Sequence, residues 1–299
     1  MMENLAQLAT ESVNPATTDI DQRSTLEIVQ LINQEDARVA EAVRAELPQV
    51  ARAVDLVAER LARGGRLVYV GAGTSGRLAA IDAAECAPTY SARPEQVTAL
   101  LAGGEAAMLR SSEGAEDDAE RGARDIAGLD VGADDVVAGV AASGRTPYVL
   151  GALAEARRRG AATVGIVNNP YTPMHDAVDV VIAPVTGPEV VTGSTRMKAG
   201  TAQKMVLNML TTAAFIKLGK VYGNLMVDVK AGNAKLRDRA RRIVQRAASV
   251  ETDTAAEALA EAGGDVKTAL VSLLAGVSAD EAARRLEAAG GHVRQALQQ

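Results

Sequence analysis

Aromatic side chains make up only 2% of the 299 residues, with no Trp and a single Phe, Phe215. The core must therefore be aliphatic, and stacking platforms for single-stranded nucleic acid are not expected. One cysteine, Cys86, excludes an internal disulfide framework and fits a reducing compartment. The only two histidines, His175 and His292, are far apart in sequence, so no His/Cys ligand cluster for a metal is visible. His175 reads as a loop histidine and His292 as a surface residue. No apolar run approaches the length that spans a bilayer. The opening MMENLAQLATES has no basic segment followed by an apolar run, so no secretory signal is expected. A net charge of −6 argues against a nucleic-acid or anionic-membrane partner. These absences point to a cytoplasmic protein.

What is present is an ordinary globular composition, 47% hydrophobic and 23% charged, in a length that suits one large domain with a small appendage. Residues 1–22 are rich in turn formers and predict an extended arm. Residues 23–64 carry Leu26, Val29, Ile32, Val50, Val54, Val57 and Leu61 at helical spacing, with Pro48 in a first turn and Gly64-Gly65 as a stop. Five Val-rich runs follow, at 66–73, 96–103, 134–144, 162–169 and 177–185, separated by helical patterns. Such continuous apolar strands alternating with helices predict a three-layer α/β domain around an open parallel sheet of flavodoxin type. Ligands are expected at the carboxyl ends of its strands. Residues 196–219 predict a long buried helix. In the tail, LAEAGGDVKTAL returns 27 residues later as LEAAGGHVRQAL, which predicts small helix–Gly-Gly–helix units. The expected division is an arm and helices over 1–65, the α/β domain over 66–240 and a helical domain over 241–299.

Three loops carry hydroxyls after strands. GAGTSG (71–76) fits a phosphate-cradling turn as well as a plain strand-to-helix turn. In ASGRTP (142–147), Ser143 or Thr146 could cap a helix, with Arg145 between them. In TGSTRMKAGT (192–201), Ser194 and Thr195 precede a helix, and capping is again open. Together, Thr74, Ser75, Ser143, Arg145, Thr146, Ser194 and Thr195 suit a phosphate monoester, whose oxygens accept from several directions. A dinucleotide site would want an acid about 20 residues on. The nearest, Glu105, lies 29 residues past Gly76, which leaves that reading second.

Two carboxylates stand out. Glu85 is expected to end the helix that starts at the first loop, where the helix dipole disfavours an anion, and to share a partly buried face with Leu78 and Ile81. A desolvated carboxylate there can act as a proton donor. Glu116 lies in the acidic run GAEDDAERG, and such runs are usually solvated helix starts. Ten residues of helix from Ser75 to Glu85 rise roughly 15 Å, beyond the length of a hexose phosphate. Glu85 is therefore expected to serve a sugar bound by a second copy across a two-fold interface.

GAGTSGRLAAIDAAECAPTY, EGAEDDAERG, AASGRTPYV, NNP and TGSTRMKAGTAQKMVLN, in that order, closely resemble the N-acetylmuramic acid 6-phosphate etherases. These are bacterial enzymes built on the sugar isomerase (SIS) phosphosugar-binding fold. The resemblance runs from about residue 9 to the C-terminus. It implies cleavage of the D-lactyl ether to N-acetylglucosamine 6-phosphate and D-lactate, by elimination and then water addition, in cell-wall recycling. It also implies a homodimer and no metal or organic cofactor. The family's acid falls on Glu85 and its second catalytic carboxylate on Glu116. Here the acid sits in DAAEC where the common form has Ser for Ala84. Glu85 is assigned to the departing lactate and incoming water, and Glu116 to the C2 proton. Arg77 and Arg196 are candidates for gripping the lactyl carboxylate. A phosphosugar isomerase, a non-catalytic phosphosugar sensor using the tail to meet a partner, and a dinucleotide enzyme remain as rivals.

Overall fold

The protein is described here from a computed structural model that covers residues 8–110, 112–229 and 234–299. The first seven residues of the expected arm lie outside these. The described chain forms two compact units. One comprises 1–84 and 95–211, and the other 85–94 and 212–299.

In the first unit the arm is pinned rather than loose. It makes short 3-10 turns at Ala9–Glu11 and Ile20–Gln22, with Thr10, Asn14 and Thr17 buried. Three helices follow, α1 (Thr25–Asp36), α2 (Val39–Ala45) and α3 (Leu47–Ala62). Ser24 and Glu27 close a capping box at the start of α1, and Pro48 occupies the first turn of α3 as expected. The next elements are β1 (Leu67–Gly71), α4 (Gly73–Tyr90), β2 (Val97–Leu101), α5 (Ala119–Gly128), β3 (Val136–Val140) and α6 (Pro147–Arg158). They lead into β4 (Ala162–Ile166), α7 (Pro173–Ala177), β5 (Val180–Ile182) and α8 (Lys198–Lys217).

All five predicted strands form, parallel, in the order β2-β1-β3-β4-β5. Every residue of β1, β3 and β4 is buried, as two covered faces require. Val68, Val70, Val137, Ile126, Tyr148, Val149 and Leu153 fill the core beside them. The strand order reverses between β1 and β3, so a crevice opens at their carboxyl ends. Helices α5 and α6 pack backbone to backbone. A Cβ on Gly122 would fall 2.0 Å from the Tyr148 carbonyl oxygen, and one on Gly151 would fall 2.1 Å from that of Ala119.

The second unit is helical. It includes a short hairpin, β6 (Val221–Tyr222) with β7 (Leu225–Met226), then α9 (Ala234–Ala248) and α10 (Thr252–Glu261). After these come α11 (Val266–Ala275), α12 (Ala279–Ala288) and α13 (Val293–Ala296). The repeated Gly-Gly pairs take nearly matching left-handed turns, φ +61° and +87° at Gly263 and Gly264 against +58° and +81° at Gly290 and Gly291. Val244, Ala255, Leu270, Ala282 and Val293 form its core. His292 is half-buried at the start of α13 rather than on the surface, and His175 lies in α7 rather than in a loop. No helix among the described residues is long and apolar enough to cross a membrane.

Candidate active site

The first loop turns sharply because it has no side chains in the way. A Cβ on Gly71 would sit 2.7 Å from the Gly76 backbone, and one on Gly76 would sit 2.3 Å from Leu101 Cδ1. Only glycines let β1 run directly into α4 here. Ser75 is buried and Thr74 half-buried in the first turn of α4. The second loop starts beside the first, since Gly71 and Val140 are partners across the β1–β3 ladder. In it Gly144 has φ +63°, and a Cβ there would fall 2.2 Å from Thr172 Oγ1. Ser143 Oγ accepts from the Arg145 amide at 3.2 Å. Thr146 stands at the N-cap of α6, yet its side chain makes no capping bond.

The third loop meets the first where Gly200 packs on Thr74, a Cβ at Gly200 lying 3.4 Å from Thr74 Cγ2 and 3.5 Å from the Thr195 carbonyl oxygen. Ser194 and Thr195 are half-buried. They do not cap α8. That task falls to Glu189, fully buried, whose carboxylate accepts from the amides of Lys198 at 3.0 Å and Ala199 at 2.9 Å. Burial pushes the Glu189 carboxyl up, and the two amide bonds and nearby Lys198 pull against that. Thus the three hydroxyl loops gather at one edge of the sheet.

Polar side chains that sequence reasoning did not single out hold this edge together. Asn169 Nδ2 donates to the Ala142 carbonyl at 2.9 Å and to Thr10 Oγ1 at 3.0 Å, tying the second loop to the arm. Gln203 Nε2 donates to Asn168 Oδ1 at 2.9 Å, linking α8 to the end of β4. Lys198, 1% exposed, donates from Nζ to Glu35 Oε2 at 2.5 Å, and Asn14 Nδ2 donates to the same oxygen at 3.0 Å. Lys198 within the third loop segment and an Asn-Asn pair after a strand were the available signals.

Glu85 differs from expectation in two respects. α4 continues to Tyr90, five residues past Glu85 and through Pro88, so Glu85 is not at its end. Glu85 is exposed, as is Ile81, so the expected partly buried face is absent. The buried acid of α4 is instead Asp82, 5% exposed. Period alone misplaced it by three residues, because Tyr69, Asn208 and Thr211 supply polar partners inside. Burial pushes the Asp82 carboxyl up, against the pull of those hydrogen bonds.

Glu116 is exposed in a 3-10 turn, Ala115–Asp117. Ala115 packs on the sheet core and Asp118 caps α5, so the turn is anchored on both sides. Of the two arginines considered for the lactyl group, Arg196 is exposed, while Arg77 is engaged with main-chain carbonyls at 107, 108 and 110. Among the described residues no group of three His, Cys, Asp or Glu side chains is placed to hold a metal. In the helical unit a cavity of about 910 Å³ opens among Ser91, Asp228, Arg241, Leu259 and Asp265, and it holds none of the predicted site residues.

Residues 49–157 match the glucokinase regulatory protein N-terminal SIS domain family, and residues 122–213 match the SIS domain family. Among solved structures, a phosphoheptose isomerase from Francisella tularensis is similar over 65% of this chain and 100% of its own, with TM-score 0.51 and 16% identity. A putative phosphosugar isomerase from Bacteroides fragilis is similar over 65% of this chain and 91% of its own, with TM-score 0.50 and 20% identity. These likenesses establish the SIS fold. Sequence likeness reaches further. An N-acetylmuramic acid 6-phosphate etherase of Symbiobacterium thermophilum is 60% identical over 270 residues, 90% of each chain. One of Aeromonas hydrophila is 55% identical over 92% of each chain, and one of Rubrobacter xylanophilus is 54% identical over 92% of this chain and 91% of its own. With identity of 55–60% over about nine-tenths of each chain, the chain belongs to the N-acetylmuramic acid 6-phosphate etherase family.

Proposed function

We propose that this protein cleaves the D-lactyl ether of N-acetylmuramic acid 6-phosphate, releasing D-lactate and N-acetylglucosamine 6-phosphate. The observation that carries this is the 60% identity to an etherase over 90% of both chains. The three hydroxyl loops at one sheet edge support placing the substrate's phosphate there, on Thr74, Ser75, Ser143, Arg145, Thr146, Ser194 and Thr195. Hydroxyls and amides aimed at one anion from separate loops fix it from several directions, and that remote binding energy holds the reacting carbons in place.

In the open-chain sugar the C2 proton is acidic because the resulting anion spreads onto the C1 aldehyde. Glu116 takes this proton as base. Glu85 protonates the C3 ether oxygen as lactate leaves, then takes a proton from water as it adds at C3. The C2–H and C3–O bonds break and a C2–C3 double bond forms; water then adds its hydroxyl at C3 while protonated Glu116 returns a proton to C2. No electrons are gained or lost, so two carboxylates in opposite protonation states suffice.

The protein acts in this reading as a homodimer in which Glu85 serves a sugar held by the partner subunit. The length of α4 between Ser75 and Glu85 supports this. So do the exposed apolar side chains Ile81 on α4 and Leu26 and Val29 on α1. A lactate-release assay tests the function directly. A phosphosugar isomerase would interconvert aldose and ketose without lactate, and a sensor would bind without turnover.

A further inference from the structure

Arg77 lies in the first turn of α4, two residues beyond Ser75. Its Nε donates to the Ala107 carbonyl at 2.9 Å and to that of Met108 at 3.2 Å, and its Nη2 donates to the Arg110 carbonyl at 3.2 Å. These carbonyls end the 3-10 turn Glu105–Met108, where main-chain oxygens run out of helical partners. One planar, permanently charged fork collects all three.

Among the described residues of the loop, few groups are buried. Ala107 is buried before it and Ala115 packs on the core after it, but Leu109, Arg110, Ser112, Glu113 and Gly114 are all exposed. Its other closure is at Gly103, φ +89°, where a Cβ would fall 2.7 Å from the Ser112 Cβ. Glu116 comes four residues after Ser112. One guanidinium rooted beside the first phosphate loop thus holds the chain on the near side of this loop, at 107, 108 and 110, while Ala115 and the Asp118 cap hold it on either side of Glu116.

We propose that Arg77 is a positioning residue for the base at C2: by holding the carbonyls of 107, 108 and 110 it fixes where the Glu116 segment stands relative to a sugar whose phosphate lies at the start of the same helix. This rests on the reading of Glu116 given above. It replaces a direct grip on the lactyl carboxylate, since turning Nε and Nη2 toward a ligand would release all three carbonyls.

The test uses the full-length protein and the Arg77→Lys variant, whose compact ammonium cannot reproduce the planar fork. Amide hydrogen exchange over residues 104–110 is measured together with lactate release from N-acetylmuramic acid 6-phosphate, with hydrogen or deuterium at C2. Positioning predicts faster exchange confined to 104–110. It also predicts kcat lower by about 10- to 100-fold with KM within about twofold, and a larger C2 isotope effect on kcat/KM as proton removal becomes more limiting. Unchanged exchange at 104–110 overturns the proposal, as does faster exchange throughout the sheet, which would mean a general loss of packing. A raised KM with kcat retained also overturns it, because that is the signature of a lost grip on substrate. Should the wild-type protein release no lactate while exchange at 104–110 rises as expected, the clamp stands and the proposed lactate-releasing function falls, with the role of Glu116 in it.

Discussion

The hydroxyl of Tyr69, on β1, donates to Asp82 Oδ2, on α4, at 2.9 Å inside the protein. Asn208 Nδ2 at 2.6 Å and Thr211 Oγ1 at 3.2 Å donate to the other oxygen from α8. One buried carboxylate therefore joins a central strand to the two helices whose first turns meet at Thr74 and Gly200. Uncharged donors surround it at hydrogen-bond distance, and burial raises its pKa above the ordinary 3.8. Ionisation is then harder folded than unfolded. Its contribution to stability is full below the unfolded value and declines as pH rises through the folded one. Asp82→Asn, which cannot ionise, should lose this slope: Tm compared with wild type should shift in the variant's favour as pH climbs from about 3.8 through the raised value. Parallel Tm curves for the two proteins would contradict it.

Glu35 and Lys198 form the opposite case. Burial pushes the Glu35 carboxyl up, but the hydrogen bond and charge of Lys198, with Asn14 and Arg38, outweigh it and hold the group below its ordinary value. Its stabilising contribution is present above the unfolded value and is lost as pH falls through the folded one. Lys198→Met leaves Glu35 buried and unpaired, with an expected destabilisation of about 3–5 kcal/mol, whereas Lys198→Met with Glu35→Leu should recover much of it. Denaturant unfolding of the single and double variants measures the difference.

Gly76→Ala would place a methyl carbon 2.7 Å from the Gly71 carbonyl oxygen, which is backbone and cannot swing away. The turn must open. A destabilisation of about 1–3 kcal/mol is expected, with weaker binding of N-acetylglucosamine 6-phosphate as the first loop moves. Calorimetric titration checks the binding, and unchanged affinity would remove this loop from the phosphate site.

A shared site predicts complementation. Glu85→Gln alone and Ser75→Asp alone should each lose lactate release, the first by about 10²–10⁴-fold with phosphosugar binding kept. Mixed dimers of the two should recover part of it, because one of their two sites joins an intact phosphate loop to an intact Glu85. Inactivity of isolated mixed dimers would contradict sharing across subunits.

Much of this was legible in the residues. The strands at 67–71, 97–101, 136–140, 162–166 and 180–182 are apolar on both faces, and that pattern has few other readings in a soluble chain. Gly71, Gly73 and Gly76 likewise announce a tight turn. Glu85 was harder. Leu78 and Ile81 pointed to a buried face, but Ile81 is 54% exposed and the inward acid is Asp82. Helical period locates a face only when the partners on it are apolar, and here Tyr69, Asn208 and Thr211 make a polar interior that hydropathy does not see. The contacts of Arg77, Glu189 and Lys198 were hidden for a related reason. Their partners are backbone groups or residues up to 163 positions away, and only the folded chain brings these together.

The central claim is that a carboxylate removes the C2 proton and that the C3–O bond to lactate is broken and remade with water. The decisive measurement is turnover of N-acetylmuramic acid 6-phosphate in water enriched in heavy oxygen and deuterium, with the product read by mass spectrometry. The account predicts solvent oxygen at C3 and solvent deuterium at C2 of N-acetylglucosamine 6-phosphate. Retention of the original oxygen at C3 would contradict it.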